Sequence, residues 1–110
     1  MVDLAGALAY PLSMDITYRL QGVSFEWDEA KARTNVEKHG VTFEEAVEVF
    51  FDPFCLAGDA SVGGEDRALM IGYSLSQRLL LVVHTERFSA TRIISARTAT
   101  RGERKLYARS

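Results

Sequence analysis

The apolar run from Leu79 to Val83 constrains the fold more than any other part of the chain. It has the length of a strand and leaves no polar face, so the sequence predicts a strand that is covered on both sides. Such a strand belongs in the middle of a sheet. A second β-rich run over residues 91–97 follows after a short connection, and we expect the two runs to pair.

Local patterns predict the elements that precede this pair. Two β-rich runs surround Gln21-Gly22, and a glycine at the second turn position predicts a tight hairpin. Asp28 is suited to cap a helix over residues 29–39, and Gly40 is placed to end that helix in the left-handed conformation. Trp27, between strand and helix cap, is expected in the core rather than on an RNA-stacking surface.

A second helix is predicted over residues 43–51, where Thr42 and Glu45 have the spacing of a reciprocal capping box. Strands are expected near residues 54–58 and 67–73, before the central pair. A last helix follows, capped by Thr98 or Thr100, with Leu106 and Tyr107 on its inner face. The predicted fold is therefore α+β, with an N-terminal hairpin, two helices, a four-stranded meander, a C-terminal helix and a mainly antiparallel sheet.

Composition fits a single domain. A chain of 110 residues with 47% apolar residues can bury an ordinary core, and one cysteine excludes an internal disulfide or a multi-cysteine metal site. Residues 14–110 are predicted to form the domain, and residues 1–13 an upstream extension with little structure. No apolar run is long enough to cross a membrane, and the N-terminus is a poor signal peptide, so a cytoplasmic location is expected.

Charge is strongly polarised along the chain. Residues 67–110 contain nine Lys or Arg against two acids, a net charge of +7, whereas residues 1–66 carry a net charge of −9. Such a separation predicts a basic surface for a polyanion and an acidic surface for another partner. The alternative is that the two halves neutralise each other within the fold.

Four stretches of the chain resemble one known family. They are FEWDEAKARTNVEKHGVTFEEAVEVFFDP at residues 25–53, IGYS at 71–74, RLLLVVHTER at 78–87 and RIISARTATRGERKLY at 92–107. Together they resemble the BrnT toxins, the ribonuclease half of bacterial type II toxin-antitoxin pairs. The combination of FEWD, N-x-x-KHGV and IISAR-x-A-x-x-x-ER-x-x-Y is specific, whereas each piece alone is weak.

The resemblance implies a RelE-like fold, RNA cleavage that blocks translation, and a ribbon-helix-helix antitoxin as partner in a hetero-oligomer. We expect the antitoxin to cover the basic surface. Two other hypotheses stay open from the residues. One is a non-catalytic RNA-binding or regulatory module on the same scaffold, and the other is a structural partner whose interface is the acidic face of Glu44, Glu45 and Glu48.

Metal-independent RNA cleavage uses the substrate 2′-OH as nucleophile and needs proton-transfer groups and cations around the phosphorane. Histidine suits the proton transfers, and arginine suits the phosphate. Regular alternation would place Thr91, Ile93, Ser95 and Arg97 on one face of their strand, with polar groups gathered at a sheet edge. The predicted catalytic residues are His84, Glu86, Arg97 and His39. The predicted RNA-binding residues are Arg67, Arg87, Arg92, Lys38, Arg101 and Arg104.

Each of these residues has a structural alternative. His84 is as well explained as a strand-end histidine bonded to backbone, and His39 as a cation that stabilises a helix C-terminus. The run Glu103-Arg104-Lys105 fits a solvated helix face. Two histidines without an ordered carboxylate spacing predict no metal site, and no cofactor is expected.

Overall fold

The computed structural model describes residues 14–109, so the predicted extension over residues 1–13 lies outside the described residues. Its elements, in chain order, are β1 (Asp15–Leu20), β2 (Val23–Asp28), α1 (Glu29–His39), α2 (Phe43–Glu48), a single 3₁₀ turn (Val49–Phe51), β3 (Leu56–Asp59), β4 (Ala68–Tyr73), β5 (Leu79–Arg87), β6 (Ala90–Thr98) and α3 (Arg101–Arg109).

The strands form one six-stranded sheet in the order β1-β2-β6-β5-β4-β3. All neighbours are antiparallel except β2 and β6, which pair in parallel at Phe25 with Thr91 and Glu26 with Arg92. The predicted α+β class, hairpin, meander and central position of β5 are confirmed. The β1–β2 turn has positive φ at both Gln21 and Gly22, as the tight hairpin requires.

The predicted helix caps are largely confirmed. The Asp28 side chain accepts a hydrogen bond from the Lys31 backbone N–H at 2.9 Å, and Gly40 closes α1 with φ of 65°. Of the two candidate caps for α3, Thr100 is the one used, because it forms a reciprocal capping box with Glu103. The prediction of Leu106 on the inner face was wrong, since its side chain is 52% exposed.

The two faces of the sheet pack against different helices. On one face, α1 and α2 enclose a core that includes Phe25, Trp27, Phe43, Leu80 and Val82. On the other face, a smaller cluster of Ile71, Leu79 and Leu81 is covered by Tyr107 of α3. The predicted core position of Trp27 is confirmed, with 2% of its surface exposed.

A β-bulge changes the faces of β6 halfway along its length. The pairing with β5 shifts register between Val83 and His84, so that Val83 faces Ser95 but His84 faces Ile93. One extra residue on β6 therefore reverses the alternation. Ile93 and Ala96 both lie in the larger core, so the prediction that Ile93 shares a face with Ser95 and Arg97 was wrong.

Asn35 joins α1 to the edge of β6. Its amide nitrogen donates to the carbonyls of Val41 and Ala96 at 2.9 and 2.8 Å, and its amide oxygen accepts from the Ala96 N–H at 3.0 Å. The Asn35 side chain thus pairs with both backbone groups of Ala96, as a neighbouring strand would. Because β2 pairs with β6 only as far as Arg92, this carboxamide satisfies backbone groups that β2 does not reach.

Glu45 ties α2 to the β4–β5 turn. Its carboxylate accepts hydrogen bonds from the Arg78 guanidinium and from the hydroxyls of Ser74 and Ser76 at 2.8 Å each. Thr42 caps α2 as predicted, but the Glu45 side chain is used by Arg78 and does not return to the cap. The Arg78 guanidinium lowers the pKa of Glu45 to about 2.

We predict that Asn35→Ala lowers the free energy of unfolding by about 2–4 kcal/mol, because three buried backbone groups lose their partner. Urea denaturation of the folded chain measures this loss. The matched control is Thr34→Ala, which changes the exposed neighbouring position on the same helix and is expected to cost less than about 0.5 kcal/mol. A cost for Asn35→Ala equal to that of the control would contradict the role of the carboxamide.

The Glu45 contact predicts a pH-dependent stability. The folded pKa of about 2 lies below the ordinary value of 4.5, so its stabilisation is complete above pH 4.5 and is lost as the pH falls towards 2. Glu45→Gln should therefore cost about 1–2 kcal/mol at pH 7. That cost should shrink in urea titrations between pH 5 and 3. Glu44→Gln, at an exposed neighbouring carboxylate, is expected to show no such trend.

Candidate functional site

Most of the basic residues in the C-terminal half have carboxylate partners. Five of its nine cations form salt bridges: Arg67 with Glu65, Arg78 with Glu45, Arg87 with Glu26, Arg92 with Asp15 and Glu26, and Arg97 with Glu103. Three of the six predicted RNA-binding residues are in this set. Four of these five cations pair with carboxylates of the acidic half, which agrees with the alternative in which the two halves neutralise each other, whereas Arg97 and Glu103 both belong to the basic half.

Among residues 14–109, the cations without a carboxylate partner are Arg19 of β1, which bonds the Ser24 hydroxyl and the Gly22 carbonyl, and those of two helices. Helix α3 presents Arg101, Arg104, Lys105 and Arg109 to solvent, so the solvated-face alternative holds for Arg104 and Lys105 but not for Glu103, which bonds Arg97. Helix α1 presents Lys31 and Lys38, and His39 follows in its last turn. Of these, Lys31 and Lys38 of α1 border a concave surface.

That surface, the α1–β6 groove, has a volume of about 300 Å³. It is lined by Ala30, Lys31, Thr34, Asn35, Lys38, His39, Ile94 and Ser95. It forms where β2 has ended and α1 takes its place beside β6. Two of the sequence pieces that carry the family resemblance, N-x-x-KHGV and IISAR, meet along this groove.

The groove has a positive electrostatic character. Two ammonium groups and one imidazole border it, and none of its lining residues carries a carboxylate. The side chains of Lys31, Lys38 and His39 are exposed, so a ligand can reach them. The two ammonium charges favour an anion such as phosphate. Asn35 holds α1 beside β6 and so shapes the groove. Its carboxamide is not available to a ligand, because both its N–H groups and its oxygen are hydrogen-bonded to backbone atoms.

His84, Glu86 and Arg67 meet at a different place, which we call the acidic cavity. It has a volume of about 500 Å³ and is lined by Asp59, Ser61, Asp66, Arg67, Ala68, His84, Thr85 and Glu86. His84 is 8% exposed, and burial lowers its pKa. Its two ring nitrogens have no hydrogen-bond partner among the described residues, so the alternative of a histidine bonded to backbone was wrong.

Arg97 lies on the other side of the sheet from His84. It pairs with Leu81 of the smaller cluster, while the His84 ring packs against Phe50 at 4.8 Å on the α1–α2 side. The two terminal guanidinium nitrogens of Arg97, Nη1 and Nη2, donate to the Glu103 carboxylate at 2.7 and 2.8 Å. The structure therefore divides the four predicted catalytic residues among three places: the groove, the cavity and the junction with α3.

Known proteins share the sequence pattern and the fold of this chain. A sequence model described as the ribonuclease toxin BrnT of type II toxin-antitoxin systems matches residues 27–103, more than half of the chain. The chain belongs to the BrnT family. Its structure is also similar to the crystal structure of the Brucella abortus ribonuclease toxin BrnT, with a TM-score of 0.54 and 31% sequence identity over 68% of this chain and 94% of that one.

Membership in the BrnT family makes the chain a ribonuclease toxin of a type II toxin-antitoxin system, with an RNA target and an antitoxin partner. No curated protein matches the chain. Among residues 14–109, no helix is long and apolar enough to cross a membrane. In the same range, no group of three or more His, Cys, Asp or Glu side chains could hold a metal ion.

Sequence reasoning missed six of the eight residues that line the α1–β6 groove, including three polar ones that bear on its character. Lys31, Asn35 and Ser95 all lie within the quoted BrnT pieces, but none was predicted as part of a site. Their spacing in the sequence could have indicated the groove, because Lys31, Asn35 and Lys38 follow a helical repeat of three to four residues on one side of α1.

The structure weakens the hypothesis that the acidic face of Glu44, Glu45 and Glu48 is an interface. Glu45 bonds Arg78, and Glu48 accepts a hydrogen bond from the Leu75 N–H at 3.0 Å.

We predict a coupling energy of about 1 kcal/mol between Arg97 and Glu103, because their two hydrogen bonds are only partly exposed. A double-mutant cycle with Arg97→Met and Glu103→Gln, measured by urea denaturation, gives this energy. The exposed α1 pair of Arg33 and Glu29 serves as control and should give about 0.3 kcal/mol. Zero coupling between Arg97 and Glu103 would mean that the guanidinium is free to serve a substrate instead.

Proposed function

We propose that this BrnT-family chain cleaves RNA without a metal ion, in the α1–β6 groove, and thereby blocks translation. The observation that carries the proposal is the juxtaposition of Lys31, Lys38 and His39 in one groove without a carboxylate. RNA phosphates are attracted to unopposed cations, and proton transfer requires a group such as imidazole. RNA as the substrate agrees with the expected cytoplasmic location.

The proposed reaction is an internal transesterification of RNA. The 2′-oxygen attacks the adjacent phosphorus, the bond from phosphorus to the 5′-oxygen breaks, and the products are a 2′,3′-cyclic phosphate and a 5′-hydroxyl. One proton leaves the 2′-OH and one reaches the departing 5′-oxygen. His39, the only imidazole in the groove lining, accepts the 2′-OH proton as general base, and water donates a proton to the departing 5′-oxygen. General acid-base catalysis of this kind contributes about 10²–10⁴-fold.

The two lysines supply the charge that the reaction needs. The phosphorane carries more negative charge than the ground-state phosphate, so cations held beside it lower the barrier. Lys31 and Lys38 lie on the same side of α1, seven residues apart, so they can contact successive phosphates of one strand. The dependence on a 2′-OH makes the activity specific for RNA over DNA.

We further propose that the antitoxin is a ribbon-helix-helix protein that forms a hetero-oligomer with this chain and covers the α1–β6 groove. A groove with two unpaired ammonium groups attracts any RNA, so inhibition is simplest when the inhibitor brings acidic side chains to it. The charges would then set the association rate and its salt dependence, while apolar contacts would supply the affinity.

We predict that His39→Ala lowers the rate of RNA cleavage by about 10²-fold or more, with no loss of folding, because the His39 side chain is exposed. Glu86→Gln is the matched control, since it changes an exposed, predicted catalytic residue of the acidic cavity and should leave the rate within about threefold. Cleavage of a defined oligonucleotide is measured in EDTA, and the products are identified by mass spectrometry.

The reverse result, with cleavage lost in Glu86→Gln and kept in His39→Ala, would move the chemistry to the acidic cavity. Cleavage that disappears in EDTA and returns with a divalent ion would contradict metal independence. An oligonucleotide with a single 2′-deoxy sugar at the scissile position must resist cleavage there. If the wild-type chain binds RNA but leaves it intact under all conditions, the non-catalytic RNA-binding hypothesis is correct.

A further inference from the structure

The acidic cavity takes no part in the proposed cleavage, yet it has the character of a binding site. Three carboxylates from separate segments line it: Asp59 at the end of β3, Asp66 before β4 and Glu86 on β5. The one cation in its lining is Arg67, whose guanidinium lies 2.9 Å from Glu65. The excess of carboxylates disfavours phosphate and favours a positively charged ligand.

His84 provides a second, independent indication of a ligand. The ring is more than nine-tenths buried, forms part of the cavity wall, and has no hydrogen-bond partner at either nitrogen among residues 14–109. Buried polar atoms are nearly always bonded, because an unpaired one costs stability. Burial also lowers the pKa of the ring, so the neutral imidazole keeps one nitrogen as an acceptor.

The acceptors of the cavity match a guanidinium better than an ammonium group. Carboxylate oxygens, an imidazole lone pair and the hydroxyl of Ser61 are all able to accept hydrogen bonds. A guanidinium offers five N–H donors in one plane and no acceptor, whereas an ammonium group offers three. It also keeps its charge when it is partly buried, which suits a site with a buried wall.

The position of the cavity favours a ligand that belongs to a protein. Asp59, Ala68 and His84 form a row across β3, β4 and β5, so the cavity runs from the central strand to the edge of the sheet. Strand β3 is the last in the sheet order, and its residues from Ala57 to Asp59 are exposed. An edge strand has unpaired backbone groups that a peptide can pair with, next to a pocket for its side chain.

We propose that the acidic cavity binds an arginine side chain of a protein partner that docks at the β3 edge of the sheet. Membership in the family provides one such partner, the antitoxin. This interaction is independent of the chemistry in the α1–β6 groove, because the two places share no lining residue.

The test is a titration with the blocked tripeptide acetyl-Gly-Arg-Gly-amide, followed by NMR of the His84 ring. A full-length His39→Gln variant leaves His84 as the only histidine, so its imidazole signals need no further assignment. We expect a saturable shift of these signals. The double variant Asp66→Asn, Glu86→Gln should weaken the binding by about tenfold or more, whereas Glu44→Gln, outside the cavity, should leave it unchanged.

Two further probes identify the source of the cationic group. The tripeptide with lysine in place of arginine should bind at least several-fold more weakly, and spermidine at equal ionic strength should not displace the arginine peptide. Equal binding of the lysine peptide, or tighter binding of spermidine, would overturn the assignment to arginine of a protein. A His84 signal that does not respond to the arginine peptide, or responds equally in the double variant, would overturn the site itself.

Discussion

The pairing of the Asn35 carboxamide with Ala96 is the contact on which the arrangement of this molecule depends. Strand β2 pairs with β6 over two residues only, and the chain then turns into α1. The remaining edge of β6 would be left without a partner there. Asn35 supplies one donor and one acceptor to Ala96 at that point, at 2.8 and 3.0 Å, and donates its second N–H to the Val41 carbonyl at 2.9 Å. The Asn35 side chain thereby makes the hydrogen bonds that a neighbouring strand would make.

This contact also connects fold and function. Because Asn35 fixes α1 beside β6, the residues one turn before and after it, Lys31 and Lys38, border the same groove as Ser95. A helix attached only by apolar contacts could rotate or slide by part of a turn and would present other residues to the groove. The paired amide is directional and so specifies a single arrangement. The position of the groove therefore depends on how Asn35 completes the hydrogen bonding along the edge of β6.

Some charged side chains of the molecule join its elements through ion pairs, and others remain accessible to a ligand. The sequence divides into an acidic and a basic half, and the fold pairs part of each with the other: Arg92 links β6 to the hairpin, and Arg78 links the β4–β5 turn to α2. Arg97 links β6 to α3 through Glu103, within the basic half. Such pairs hold elements in register but leave no free charge for a ligand. The two lysines that we propose for RNA binding, Lys31 and Lys38, have no carboxylate partner among the described residues, and both are on α1.

Local signals were sufficient to predict the hairpin, the caps of α1 and α3, and the central position of β5, because each depends on residues close in sequence. The faces of β6 could not be predicted, since the bulge opposite Val83 and His84 has no sequence signature and reverses the alternation on which the prediction rested. The ion pairs of Arg78 and Arg92 also escaped prediction, because their partners lie 33 to 77 residues away. Of the predicted site residues, Lys38 and His39 lie together in the α1–β6 groove, whereas Arg97 lies at the junction with α3.

The central claim is that RNA binds where Asn35 holds α1 against β6. The most direct measurement is the change in backbone amide NMR signals when the chain binds an RNA oligonucleotide whose 2′-hydroxyls are methylated, so that it cannot be cleaved. The account predicts that the largest changes fall on residues 30–39 and 94–95, and that they disappear in Asn35→Ala. Changes concentrated on residues 101–109, or around His84 and Glu86, with residues 30–39 unaffected, would contradict it.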